Sequence, residues 1–232
     1  MTSTMLRFIS PAATLLVVVC GGPCCADVVT FNNFGSNPIY QPAGTWQGSA
    51  EGGSEETMLA QRFTAKFGGR LAKIESGMTF NFPSQGSDPN NVDYLSISLV
   101  PDDSNKPGSQ VFWSQNYINN VPITVGAIAS FDVQAGPTLK AGSKYWVVSR
   151  STSIGTTPYV WWLANPPASE PYAYYYFKSI AAVTGEWISG NTPPHRRHEF
   201  SLRVTVIPEP AAAALMLAAS ATLLAICRRT IL

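Results

Sequence analysis

The sequence predicts an all-β fold, an antiparallel β-sandwich of the jelly-roll type, with an apolar segment at each end of the chain. Short stretches in which apolar and polar residues alternate recur through the body of the chain. Clusters of Gly, Pro, Asn, Asp and Ser separate these stretches, and none of the body has a helical period. Because strands do not alternate with helices, we expect two packed antiparallel sheets.

Four stretches are predicted as strands. In residues 200–206, Phe200, Leu202, Val204 and Val206 alternate with polar residues, and residues 95–99 repeat this pattern. In residues 72–80, a face formed by Ala72, Ile74, Met78 and Phe80 lies opposite Lys73 and Glu75. Residues 144–150, KYWVVSR, are rich in residues that favour strands and follow a Gly-containing turn.

Composition limits the classes of partner. The chain has 232 residues, of which 45% are hydrophobic and 12% charged. Between Asp27 and Val206, 12 Lys and Arg stand against 13 Asp and Glu, so the body has no basic excess. Nucleic acid is therefore not an expected partner. The aromatic and β-branched content predicts an ordered domain with a core of its own.

The N-terminus has the features of a secretory signal helix. Arg7 precedes an apolar run over residues 8–20, and Cys24-Cys25-Ala26 offers small residues for cleavage after Ala26. An uncleaved helix is one alternative, although the run is short for a membrane span. A lipoprotein signal is the other, but it needs a small residue before the modified cysteine, and Cys20 follows Val19 while Cys24 follows Pro23. Cleavage would remove three of the four cysteines and leave only Cys227. The body then contains neither disulfides nor a thiolate zinc site.

The C-terminus carries a second apolar segment, which predicts a transmembrane helix over residues 211–227. At about 1.5 Å per residue this segment forms about 25 Å of helix, near the lower limit for crossing a bilayer. Arg228 and Arg229 follow it and favour the cytoplasmic side, which leaves the body outside. Pro208-Glu209-Pro210 precedes it, and these residues suit the end of a strand and the start of a helix.

This C-terminal layout resembles the PEP-CTERM sorting signal of bacteria that make exopolysaccharide. The order in that family is a Pro-Glu-Pro motif, a short apolar helix and an Arg-rich end, and all three parts are present here. The resemblance implies recognition by an exosortase, a membrane-embedded processing enzyme, followed by delivery to the cell surface or matrix. A plain, retained membrane anchor is the alternative.

The body resembles the choice-of-anchor domains of bacterial surface proteins, type R in particular. The similarity runs over residues 60–80, 94–113 and 139–150, with a Q-x-F strand, a D…PG turn and an L-x-x-G-x-x-Y-W strand. The resemblance implies a non-catalytic surface module.

Two polar clusters are weak candidates for a metal site. His195, His198 and Glu199 lie at the start of a predicted strand, where residues three apart point to opposite faces, so a solvated strand entrance is favoured over zinc. A turn made by Asp102, Asp103, Ser104 and Asn105 offers oxygen ligands for calcium, but these are also common turn residues.

No arrangement of residues indicates catalysis or a cofactor. The sequence contains no nucleophile elbow, no phosphate-binding Gly-rich loop and, in the body, no cysteine nucleophile. We therefore expect a protein that is not an enzyme, and we keep an exported hydrolase only as a remote alternative.

Aromatic density peaks over residues 159–177. Exposed aromatic rings stack on sugars in carbohydrate-binding modules, which makes a sugar site the second hypothesis for function. One of the two tryptophans is expected to pack inside the domain. The candidate residues are Trp161, Trp162, Tyr172, Tyr174 and Tyr176.

The sequence thus predicts three parts: a signal peptide (1–26), an exported β domain (27–206) and a sorting signal (207–232). The expected function is a structural or adhesive role in the envelope or biofilm matrix. The expected partners are an exosortase-type enzyme, the membrane and, in the second hypothesis, polysaccharide.

Overall fold

The computed structural model describes residues 26–35, 40–49, 56–80, 94–118, 121–122, 127–151, 159–164, 172–177, 186–189 and 199–209. Over these ranges every regular element is a β-strand and every pairing is antiparallel, which confirms the predicted fold class at this level. None of these ranges contains a helix of the length and apolarity that crossing a bilayer requires. The predicted signal helix and transmembrane helix lie outside the described residues.

The strands are numbered in chain order. They are β1 Val28–Asn32, β2 Tyr40–Ser49, β3 Glu56–Thr64, β4 Gly69–Ser76, β5 Met78–Phe80, β6 Tyr94–Asp103, β7 Lys106–Pro107, β8 Trp113–Ile118, β9 Ala129–Asp132, β10 Thr138–Leu139, β11 Lys144–Ser151, β12 Tyr159–Ala164, β13 Tyr172–Phe177, β14 Glu186–Ser189 and β15 Leu202–Ile207.

The first sheet is built around β4. Its order is β1-β15-β4, and both β9 and β10 pair with β4. Strand β9 pairs with residues 73–76 of β4 and β10 with residues 69–70, so β9 and β10 follow one another along β4. Strands β1 and β15, from opposite ends of the chain, are thereby neighbours in one sheet.

The second sheet is built around β3 and β11. The order β14-β13-β3-β11-β6-β8 follows from the pairings of β3 with β11 and β13 and of β6 with β11 and β8. A ribbon of β5, β12 and β2 joins this sheet through two short pairings, Gly48 with Thr57 and Ser49 with Glu56.

Both sheets contribute to one apolar core. Leu71 and Ile74 of β4 and Phe131 of β9 pack in the same cluster as Phe63 of β3 and Ile97 of β6. Two antiparallel sheets that share a core are consistent with a β-sandwich. Each fully buried large side chain of this core stabilises the fold by about 1.5–3 kcal/mol relative to leaving it in water.

Alternation predicted most of the core positions correctly. Phe200, Leu202, Val204 and Val206 are fully buried, and so are Leu95, Ile97 and Leu99 to within 1%. The prediction for Ala72 is wrong, since Ala72 is partly exposed while Leu71 and Ile74 are buried. The pairing shifts there from Thr205 opposite Lys73 to Val206 opposite Leu71. This bulge leaves Ala72 as the extra residue and interrupts the period of two.

Tyr117 is a core residue with a polar end. Its side chain is 5% exposed and its hydroxyl donates a hydrogen bond of 2.9 Å to the backbone oxygen of Asp132, which joins β8 to the first sheet. Burial, and secondarily the charge of Asp132, raises the pKa of Tyr117 well above its usual value near 10.

We expect Tyr117→Phe to change how stability depends on alkaline pH. The pKa of Tyr117 is higher in the folded state than in the unfolded state. The protonated side chain therefore contributes fully to the free energy of unfolding below pH about 10, and this contribution is lost as pH rises towards the folded-state pKa. Above pH 10, the free energy of unfolding of the wild type should fall by up to about 1.4 kcal/mol per pH unit more than that of the variant. Near pH 7 the variant should be about 1 kcal/mol less stable. Urea unfolding at a series of pH values from 7 to 11 checks this. If the free energies of unfolding of the two proteins change with pH in parallel, the prediction is contradicted.

Candidate functional site

Both ends of the described domain leave at one place. Val28, the first residue of β1, pairs with Val206 near the end of β15, so the N-terminal and C-terminal segments depart side by side. Two turns, residues 65–69 and residues 140–143, lie beside this exit. We call the surface formed by Val28, these two turns, Pro208 and Glu209 the terminal end of the domain.

The turn at residues 65–69 is held rigidly by Thr30. The buried Thr30 hydroxyl donates to the backbone oxygen of Phe67 at 2.8 Å and accepts from its backbone nitrogen at 2.9 Å. The Thr30 backbone oxygen accepts a third bond, 3.0 Å, from the nitrogen of Lys66. Although its backbone is fixed in this way, the Phe67 side chain remains 45% exposed.

The turn at residues 140–143 is hydrogen-bonded to the turn at residues 65–69. The nitrogen of Gly142 donates to the oxygen of Ala65 at 2.7 Å, and the nitrogen of Ala65 donates to the oxygen of Ser143 at 3.0 Å. Gly142 has φ 78°, a left-handed conformation that glycine adopts at no steric cost. The backbone nitrogen of Lys140 donates to the hydroxyl of Tyr145 at 2.9 Å. The two turns therefore form one ordered surface.

The exit of β15 is equally constrained. Gly69 has φ 151°, and a Cβ atom added there would lie 2.5 Å from the backbone oxygen of Ile207. Only glycine allows the start of β4 to approach the end of β15 this closely. Pro208 follows, partly exposed, and Glu209 is exposed. Pro210, Arg228 and Arg229, the other residues of the predicted sorting signal, lie outside the described residues.

A groove of about 890 Å³ opens at the terminal end. Val28, residues 66–69, residues 138–141, Pro208 and Glu209 line it. Sequence reasoning missed this groove, because it depends on contacts between segments far apart in the chain. The one local signal was the turn KFGGR, in which an aromatic residue stands among lysine, arginine and glycines where a polar residue is usual.

Trp161 is not available to a sugar, so this part of the predicted carbohydrate site is wrong. Its side chain is fully buried, its ring stacks on Phe200 at 5.0 Å between centroids, and its indole nitrogen donates to the backbone oxygen of Ser201 at 3.0 Å. A ring that is enclosed on its faces and hydrogen-bonded at its edge is a structural core residue. The side chain of Trp162 lies outside the described part of the structure.

The three candidate tyrosines lie at alternate positions of β13, which pairs with β3. The register pairs Tyr172 with Gln61 and Tyr174 with Leu59, two residues of β3 that are fully buried. This register places β13 beside β3 in the second sheet, while the side chains of Tyr172, Tyr174 and Tyr176 lie outside the described part of the structure.

The candidate calcium residues form a hairpin turn that an arginine engages. Ser104 and Asn105 have φ 54° and 67°, as the two central residues of a type I′ turn require. The Arg62 guanidinium lies 3.9 Å from Asp102 Oδ1 and donates to Asn105 Oδ1, and the Trp146 indole donates to Asp102 Oδ1 at 2.7 Å. The Arg62 guanidinium thus occupies the position beside the oxygens of Asp102 and Asn105 where a bound calcium ion would lie.

Asp103 accepts a hydrogen bond of 3.3 Å from its neighbour Ser104. Among the described residues, no group of three or more His, Cys, Asp or Glu side chains is arranged to hold a metal ion. His195 and His198 lie outside the described ranges. Glu199 is 4% exposed, so at this position the prediction of a solvated strand entrance is wrong.

Neither a protein-family model nor a curated protein matches the sequence of this chain. The inference of function therefore rests on the residues of the chain itself.

Proposed function

We propose that this chain is an exported, non-catalytic β domain that its C-terminal segment delivers to the surface or extracellular matrix of a bacterial cell. Its role there is structural or adhesive, within an exopolysaccharide matrix. The observation that carries the proposal is the order Pro208-Glu209-Pro210, apolar segment, Arg228-Arg229, directly after the last strand.

The geometry of the terminal end supports this proposal. Strand β15 ends at Ile207, Gly69 packs against its last backbone oxygen, and Glu209 is exposed two residues later. Glu209 is therefore open to a processing enzyme without unfolding of the domain. The antiparallel sheets around one core also suit an exported domain without disulfides, because the core alone provides stability. As part of this proposal, the strands of the β-sandwich follow one another in the jelly-roll order that the sequence predicts.

The carbohydrate-binding hypothesis has weaker support. Of its candidate residues, Trp161 is a core residue, and the side chains of Trp162 and the three tyrosines lie outside the described part of the structure. We assign no catalytic residue and no cofactor to the domain.

Removing residues 208–232, which leaves β15 complete, tests the proposed delivery in the native cell. We expect the wild-type chain in the cell-surface or matrix fraction, and the truncated chain free in the culture medium, since the signal at residues 1–26 is intact in both. Immunoblots of the fractions, with externally added protease, make the comparison. A wild-type chain found in the cytoplasm, or fractions unchanged by the truncation, would contradict the proposal.

A further inference from the structure

The terminal end lies close to the membrane whenever the C-terminal segment is inserted. Four residue steps separate Ile207 from Ala211, the first residue of the apolar segment, and a fully extended chain covers at most about 14 Å in four steps. The N-terminal apolar segment leaves from the same place, because Val28 pairs with Val206. This surface, and not the opposite end of the two sheets, therefore faces the bilayer.

The side chains presented there suit a lipid surface. Phe67, 45% exposed, stands on a turn that three hydrogen bonds to Thr30 hold in place. Exposed Lys66 and Lys140 flank it beside the groove. Aromatic side chains favour the lipid–water interface, and lysines within a Debye length of anionic headgroups are attracted to them.

The charge balance of this end is also favourable. Besides the two lysines of the groove, exposed Arg70 and Lys144 lie at the ends of β4 and β11 next to the two turns. Among the residues that the structure describes, the exposed carboxylates beside these turns are Asp27 and Glu209, next to the two chain exits. The terminal end is therefore cationic, although the body of the chain as a whole has no basic excess.

We propose that the terminal end is a membrane-docking surface. While the C-terminal segment is held in the bilayer, Phe67 contacts the lipid–water interface and Lys66 and Lys140 contact anionic lipid headgroups. Docking fixes the orientation of the domain and brings the residues after Ile207 to the membrane surface, where a membrane-embedded processing enzyme acts. This inference rests on the proposed function, because it requires the C-terminal segment to be inserted.

The test uses the full-length chain, with its four cysteines changed to serine, reconstituted into vesicles. One variant carries a fluorophore at Ala141→Cys, in the terminal end, and a second carries it at Ser130→Cys. Both positions are exposed, and the second lies six residues further along β4, opposite Glu75, or about 20 Å away. The vesicles contain phosphatidylcholine with or without phosphatidylglycerol, plus a lipid that bears a quencher at the headgroup. Flotation of the vesicles measures insertion separately from quenching.

We expect quenching at residue 141 to exceed quenching at residue 130 at least threefold when phosphatidylglycerol is present, and by a clearly smaller factor in phosphatidylcholine alone, where only the short connection after Ile207 holds this end near the bilayer. The pair Lys66→Glu and Lys140→Glu, or Phe67→Ala alone, should lower this ratio towards its value in phosphatidylcholine alone, without changing flotation. The matched controls are Arg150→Glu, an exposed cation at the opposite end of β11, and Ile118→Ala, an apolar side chain with the same 45% exposure. Both controls should leave the difference intact.

Three outcomes would overturn the inference. If the chain floats with the vesicles but the ratio of quenching at the two positions is the same with and without phosphatidylglycerol, the docking surface is refuted while the membrane anchor stands. If the chain does not float, the anchor fails and the docking fails with it. If the probe at residue 141 responds to a soluble anionic polysaccharide and not to phosphatidylglycerol, the cationic surface belongs to a polysaccharide partner and not to the membrane.

Discussion

Trp161→Ala is expected to lower the free energy of unfolding by about 3–5 kcal/mol. The substitution empties the space of a fully buried indole, removes its stacking on Phe200, and leaves the backbone oxygen of Ser201 without this donor. Urea unfolding of the full-length chain in detergent, followed by circular dichroism, measures the change. Phe112→Ala is the matched control, since its ring is 42% exposed, and it should cost less than about 1 kcal/mol.

This substitution separates two roles for the aromatic segment. A tryptophan that stacks on a sugar contributes to affinity and little to stability, whereas a core tryptophan does the reverse. A Trp161→Ala protein as stable as the wild type would show that the ring is not in the core. It would also restore Trp161 as a candidate for a sugar site.

Replacing Pro208, Glu209 and Pro210 together with alanine is expected to reduce processing of the chain in the native cell at least tenfold. When the motif that a processing enzyme recognises is removed, polar groups of the enzyme's binding site are left without partners, and the rate of processing falls steeply. The fold should be unaffected, because β15 ends at Ile207 and Glu209 is exposed. The ratio of precursor to mature chain on immunoblots gives the result.

Asp103→Asn is the control for this experiment, since it neutralises an exposed carboxylate outside the motif. It should be processed like the wild type. Equal processing of the alanine variant would show that the motif only ends a strand and begins a helix.

The strands were predictable where a single physical constraint acts on successive residues. Residues 95–99 and 200–206 alternate because one face of each strand is in the core. The alternation failed at Ala72, where a bulge changes the face of the next residue. A bulge results from the pairing of two strands distant in sequence, and residues 72–80 alone carry no sign of it.

Sequence reasoning also could not separate Trp161 from Trp162. Adjacent residues of a strand face opposite sides, so the pattern requires one tryptophan inward but leaves open which one. The structure answers this for Trp161 through its contact with Phe200.

The proposed sorting motif is contiguous in the sequence, whereas the terminal end is assembled by the fold. Pro208-Glu209-Pro210 is contiguous, so its resemblance to a known signal is visible in two dozen residues. The terminal end depends on Val28 meeting Val206 and on Thr30 bonding to Phe67. Each residue there is unremarkable by itself, and only tertiary structure brings the exposed phenylalanine, the lysines and the chain exits together.

The most direct test of the proposed function is the mass of the C-terminal peptide of the chain recovered from the native cell surface. We expect a mature chain that lacks Arg228 and Arg229, because a processing enzyme has acted on the segment that follows Ile207. Mature surface protein that still ends at Leu232 would overturn the proposed processing and identify residues 211–227 as a plain, retained anchor.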